Sequence, residues 1–425
     1  MRSTGFRASL FLAAALAAAV ECHAQNAVTD WNTIASATII ARGGKPSTAS
    51  GVWFAYTSIA VYDAVNAIHG RFEPFYYDGA APRGASDAAA AAAAAHRILV
   101  TYFPAQRATL DAELDTSLAK IVASAQAKTD GVAVGQAAAD VLIAARAGDG
   151  LEANVPYNHG SGPGDWQPTP PRFSAPLTPW LGQMRPFSMT GPAQFLPDGP
   201  TPLASHRWTR DYEEVRRLGA IDSASRTPEQ SEIGLFWTEH TGQQYARAFG
   251  RLAERYQLDV LASSRLMGLL WTGYADSLIG CFNAKYTYGF WRPVTAIRAG
   301  GGNPDLTADP GWTPLAVTPS HPEYPAAHGC ATGAVSRLIE DYFGTPKVHV
   351  VVDSLALSDG VHTHTFDDTR ALFSEVFRAR IYAGFHYRHS LRDGGAMGAR
   401  IARQLFHTRF RPRGGEQSGD DDEDE

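Results

Sequence analysis

Eight consecutive alanines at residues 88–95 constrain this chain more than any other feature. Alanine loses no side-chain entropy in a helix, and a face of methyl groups lets a neighbouring helix come close. Ser86 and Asp87 precede the run as N-cap candidates, which predicts a helix through about Thr101. The pattern extends to both sides. From Val28 the chain reads as helical, and VWFAYTSIAVYDAVNAIHG sets apolar residues three and four apart before stopping at Gly70. Residues 105–126, 131–147, 208–218 and 229–256 repeat the texture, and a further helix leads from Leu258 into Lys285. GCATGAVSRLIEDYFG reads as another helix, closed by Gly344. The expectation is an all-α helical bundle in which His69 and His96 are structural.

Residues 150–205 differ. They are rich in Pro, Gly and Trp, as in GPGDWQPTPP and TPWLGQMRPF, and lack charge runs. A stretch this long and irregular is expected to pack over a surface or a site rather than to link two domains. Residues 25–413 therefore read as one helical domain with long Pro/Gly-rich loops.

The excess of acid, 43 Asp and Glu against 37 Lys and Arg, lies entirely in the last six residues, DDDEDE. The rest of the chain is balanced, so no basic field attracts nucleic acid. Residues 414–425 are expected to form a disordered acidic tail. At the other end, Arg2 and Arg7 precede an Ala-rich apolar run, and Ala24 closes a small-residue cleavage pattern. Residues 1–24 read as a signal peptide, which places the protein in the periplasm or outside the cell. No later run is long enough to span a membrane. Cys281 and Cys330 remain after the signal, and either a disulfide or two buried thiols fits them.

Candidate chemistry is concentrated in three short blocks. NAKYTYGFWRPVTAIR carries Lys285 and Arg292, HPEYPAAHG ends on His328, and ARIYAGFHYRHS carries Arg380 and His386. Lysine supplies a point charge, arginine a planar donor fork, and histidine a directed hydrogen bond. Lys and Arg cannot ligate a cation, so this mix suits a tetrahedral oxyanion. Gly289 and Pro293 predict a helix end between Lys285 and Arg292, and a break is expected near Gly384, with His386 opening the next element. The helix after His328 would turn its N-terminal amides toward the same anion. Asp276, one or two turns before Lys285, either positions a cation or satisfies local polarity. His362 and His364, with Asp367 and Asp368, form a loop that a metal could use, though no further ligands stand at the usual spacing. No nucleotide-binding glycine loop and no serine-hydrolase elbow is present.

In this order the blocks resemble the signature of the vanadium-dependent haloperoxidase and type 2 phosphatidic acid phosphatase superfamily: Lys-x6-Arg-Pro, Pro-Ser-Gly-His, Arg-x5-His-x3-Asp. WNTIA, YDAVNAI and WQPTPP resemble bacterial members, so the likeness covers most of the mature chain. The resemblance implies a helical bundle around a vanadate site, which phosphate can also occupy. Lys285, Arg292, Arg380 and the backbone amide of Ala327 would hold the oxyanion. His328 would be the general acid/base, and His386 the residue bonded to vanadium. The implied reactants are hydrogen peroxide and a halide. The alternatives are a phosphomonoester cleaved through a phosphohistidine, or oxyanion binding without catalysis, and a homo-oligomer is compatible with all three. Two positions depart from the signature. Ala326 stands where it has Ser, and Ser390 where it has Asp; Asp393, seven after His386, is expected to substitute for that carboxylate.

Overall fold

The computed structural model describes residues 26–158 and 160–414, so the signal-peptide and acidic-tail expectations lie outside the described residues apart from Gly414. The architecture is all-α. Helices α1 (Ala27–Ser36), α2 (Ser50–His69), α3 (Asp87–Tyr102), α4 (Arg107–Lys120) and α5 (Ala125–Ala145) form the first half. After the irregular stretch come α6 (His206–Leu218), α7 (Pro228–Phe236), α8 (Thr241–Arg255), α9 (Val260–Tyr288) and α10 (Pro293–Arg298). The last part holds α11 (Ala327–Phe343), a hairpin of β1 (Val350–Ser354) and β2 (His362–Phe366), α12 (Thr369–Tyr382) and α13 (Arg388–Thr408).

Local sequence accounts for most boundaries. Ser86 caps α3 by accepting from the Ala89 amide, and seven of the eight alanines, 89–95, lie fully buried, with α3 packed against α5 and α2. Gly70 closes α2 and Gly344 closes α11, both left-handed, where a side chain would be strained. His69 pairs with Asp87 and His96 with Asp111 at the surface, as structural residues. Residues 229–256, expected as one helix, are two: α7 ends at Phe236, capped by Trp237, and α8 begins at Thr241. The hairpin is also a departure, because the alternating His362 and His364 lie on a strand rather than in a loop.

Helix α9 organises the molecule. Its 29 residues span about 43 Å, and nearly all of them are buried, since α2, α11 and α13 pack around it. The irregular stretch lies over its C-terminal part. Asn283 Nδ2 donates to Gly182 O at 2.8 Å, and Asp276 accepts from the Phe187 and Ser188 amides at 2.7 and 2.8 Å. This stretch is packed, as its aromatic content suggested. Helices α11 and α13 meet almost backbone to backbone: a methyl group on Gly398 would lie 2.0 Å from Cys330 O. That contact brings His328, near the start of α11, beside His386, just before α13.

Candidate active site

Each block arrives at the site by a different local device. Lys285 is on the last turn of α9, which Gly289 terminates with φ +56°. Arg292 is extended as the residue before Pro293, the first residue of α10. Arg380 is in the last turn of α12, and Gly384, at φ +77°, redirects the chain so that His386 sits two residues ahead of α13. Ala327 and His328 open α11, whose N-terminus has no side-chain cap. The expected breaks near Gly289 and Gly384 are both present.

A cavity of about 70 Å³ is lined by Arg380, His328, His386, His321, Ala327 and Thr241, among others. Leu177, from the covering stretch, forms part of its wall. Lys285 and Arg292 are fully buried in the adjoining wall. Lys285 Nζ donates to Pro322 O and Glu323 O, both at 2.9 Å. Arg292 donates to His321 O at 2.8 Å, to Phe385 O at 3.0 Å and to His386 Nε2 at 3.2 Å. Arg380 donates through one Nη to Trp237 O at 2.5 Å, while its buried Nε has no partner among the described residues.

Glu323 is the carboxylate of the site, and the motif reading missed it. Its Oε1 accepts from His386 Nδ1 at 2.8 Å and from the Tyr387 amide at 3.1 Å. Arg292 approaches the other ring nitrogen as a donor, so both contacts call for the same tautomer, with the proton on Nδ1 and Nε2 free. Asp393 does not substitute for the missing aspartate. It accepts from the Tyr324 hydroxyl at 2.9 Å instead, because His386 precedes α13 and shares no helical stripe with it. Ser390 is buried, and its hydroxyl has no partner among the described residues. Its carbonyl holds the Ala326 amide at 3.2 Å. Asp276 is not brought to the cavity either, because the covering stretch occupies both its oxygens. The second residue that sequence reasoning missed is His321, which stands against Arg292 with ring nitrogens 3.1 and 3.3 Å from its Nη2. The signal for both was HPE in HPEYPAAHG: a carboxylate and an imidazole between two cationic blocks.

The electrostatics follow from burial. Desolvation lowers the Lys285 pKa to about 8, Arg292 to about 10 and Arg380 to about 9, and the arginines repel each other further. Desolvation, then the surrounding cations, hold His328 and His386 well below the ordinary histidine value, so both are neutral. Burial pushes Glu323 up, while His389, Lys285 and Arg292 oppose that shift. Cys281 and Cys330 are buried free thiols behind the site.

The His362/His364 cluster is a separate feature. His362 pairs with Glu232 and Asp359, His364 with Glu232 and Glu375, and Asp367 and Asp368 are engaged elsewhere. Among the described residues no group of three such side chains could hold a metal ion. Asp367 and Asp368, the carboxylates expected beside the two histidines, pair instead with His349 and Lys347.

Comparison with known proteins now decides the kinship. Residues 265–414, which include all three blocks, match the family of the VCPO second helical-bundle domain. This part of the chain is therefore similar to a vanadium haloperoxidase domain. Vanadium chloroperoxidase of Curvularia inaequalis is 27% identical over 199 residues, covering 39% of this chain and 32% of that protein. This chain therefore matches only about a third of the length of that relative. The fold is that of bacterial vanadium haloperoxidases. A bacterial vanadium-dependent iodoperoxidase superposes with a TM-score of 0.76 at 20% identity, over 90% of this chain and 96% of the other. An apo-type bacterial vanadium-dependent chloroperoxidase superposes at 0.69 and 16% identity, over 85% and 93%. No described helix is long and apolar enough to cross a membrane.

Proposed function

We propose that this chain is an exported, vanadate-dependent haloperoxidase that oxidises a halide with hydrogen peroxide. One observation carries the reading. Three cations, Lys285, Arg292 and Arg380, and one carboxylate, Glu323, are buried at this pocket, so with all four ionised it carries a charge of +2. Uncompensated buried charge is costly, and a doubly charged oxyanion offsets it. The unpaired Arg380 Nε and the uncapped α11 N-terminus beside the cavity add donors suited to the same ligand. These residues fit vanadate.

Arg380 and the α11 amides would bind oxyanion oxygens directly, and Lys285 and Arg292 supply charge from the wall. His386 carries an unprotonated Nε2, because Glu323 keeps the proton on Nδ1, and this nitrogen would become a ligand once Arg292 Nη1 turns from it to the oxyanion. When bound, vanadate supplies a Lewis-acid centre that activates peroxide toward halide. His328 holds the proton exchanged at the reacting oxygen. Arg380, Lys285 and Arg292 push its pKa down, and an anion in the pocket relieves that push. The Thr241 hydroxyl, 3.0 Å from His328 Nε2, orients the ring. Released from Arg292, the unprotonated Nε2 of His386 would also be a nucleophile, which supports a second reading, phosphomonoester hydrolysis through a phosphohistidine.

Purified protein, with and without vanadate, is assayed for bromide oxidation and for phosphomonoester hydrolysis. Peroxide-dependent bromination appearing only with vanadate is the expected result. Hydrolysis inhibited by vanadate selects the phosphatase, and silence in both assays leaves oxyanion binding alone. His386→Ala should lose vanadium on desalting. His328→Ala should retain most of it and lose turnover.

A further inference from the structure

A second concavity, of about 660 Å³, lies between α6 and the start of α13 and shares no lining residue with the oxyanion cavity. Arg207, Arg210, Glu214 and Arg217 follow one another at spacings of three, four and three along α6, so they form one stripe facing the bowl. The opposite stripe of α6, with Trp208, Tyr212 and Val215, is buried. Arg388 and Arg392, four apart in the first two turns of α13, face the bowl from the other side, where the positive end of that helix adds to the field.

Five arginines therefore converge on one hollow. Glu214 forms a two-pronged pair with Arg388 at 2.5 and 2.8 Å, and Arg392 touches Asp393 at 3.2 Å. Arg207, Arg210 and Arg217 pair with no carboxylate among the described residues. Glu213 is turned to Arg216, and Asp211 is committed to His389 at 2.7 Å in the floor. Like charges at such spacings destabilise a helix, and a concave wall concentrates their field.

We propose that this bowl binds a small anion bearing two or more phosphate or carboxylate groups. Planar guanidinium forks from two helices match paired oxygens, and the separation of the stripes favours a ligand with more than one anionic group. The inference does not depend on the activity of the oxyanion pocket.

Calorimetry with pyrophosphate and with citrate on the full chain tests it, in wild type and in Arg380→Ala, which weakens the oxyanion pocket. The expected result is a binding component with the same affinity in both proteins, weakening as salt is raised. The double variant Arg210→Ala/Arg217→Ala should weaken binding at least about tenfold. Glu214→Gln should tighten it, because it frees Arg388 and removes the opposing charge. Arg210 and Arg217 are exposed and Glu214 is half-buried, so an unchanged melting temperature confirms the fold. Stronger binding of pyrophosphate than of citrate assigns phosphate chemistry, and the reverse order assigns carboxylate chemistry. Absence of binding at about 10 mM of either probe overturns the proposal. So does binding that is lost in Arg380→Ala and kept in the double variant.

Discussion

Two histidine clusters lie on opposite sides of Trp237 and are governed by opposite electrostatics. Inside, His321, His328 and His386 are desolvated among cations and are held neutral. Outside, Asp359 raises the His362 pKa, and Glu375 and Glu232 raise that of His364 by more than burial lowers it. The same imidazole is a lone-pair donor in one place and a cation in the other. The difference is the sign of the neighbouring charge, which residue type alone does not disclose. The consequences for pH also oppose each other. Below pH 6.5 the unfolded chain protonates its histidines while the inner three stay neutral, so stability falls with acid. The outer pair gains a proton more readily when folded; its contribution is present below 6.5 and fades as pH rises through the raised values.

Removing the one carboxylate of the inner cluster tests the comparison hardest. Glu323→Ala leaves three buried cations unanswered and frees the His386 ring. It should cost about 3–5 kcal/mol of stability, a typical loss on breaking a buried pair. Urea unfolding measures it, and saturating phosphate should restore part of the loss by supplying the missing negative charge. Unchanged stability would mean that Glu323 is not what balances the cations. Arg380→Ala comes next: loss of one charge-assisted fork should weaken vanadate binding by about 1.5–3 kcal/mol, roughly tenfold to a hundredfold, as read by calorimetry.

A smaller and graded effect comes from pH. Lys285 releases its proton near 8 when folded, against an ordinary 10.5. Oxyanion affinity should therefore fall by about tenfold per pH unit above 8, since binding requires the ammonium. Affinity that stays flat from pH 8 to 9 would remove Lys285 from the charge clamp.

The sequence disclosed these features unevenly. Helix α3 was legible because capping and alanine propensity are local, and so was the break at Gly384. The cations were legible because only an anion suits Lys, Arg and His together. Glu323 was not, because its partner His386 lies 63 residues away and the expected carboxylate was sought at a helical spacing from His386. That spacing failed once His386 proved to lie outside α13. Asp276 was overweighted for a similar reason: nearness to Lys285 along α9 says nothing of the Phe187 and Ser188 amides, which arrive from 88 or more residues upstream. The Trp237 break was hidden because α7 and α8 both carry ordinary helical texture, and its cause is tertiary.

That break joins the two clusters, and it supports the smallest prediction. Trp237 O accepts from Arg380 and from His328 on the inner side. On the outer side the Trp237 indole donates to Glu375 Oε1 at 3.0 Å, and the same oxygen meets His364 Nδ1 at 2.6 Å. Glu375→Gln keeps an acceptor for the indole and removes the charge that holds His364 protonated. His364 is partly open to solvent, so after screening the loss should be about 0.5–1 kcal/mol. It should be fully present at low pH and shrink as the pH rises through the raised His364 value, where the wild-type imidazole also loses its proton. Thermal unfolding at one pH below that value and one above it measures this. A loss of equal size at both would show that Glu375 acts on Trp237 through packing alone, and that the outer cluster has no electrostatic part in holding the carbonyl on which Arg380 and His328 converge.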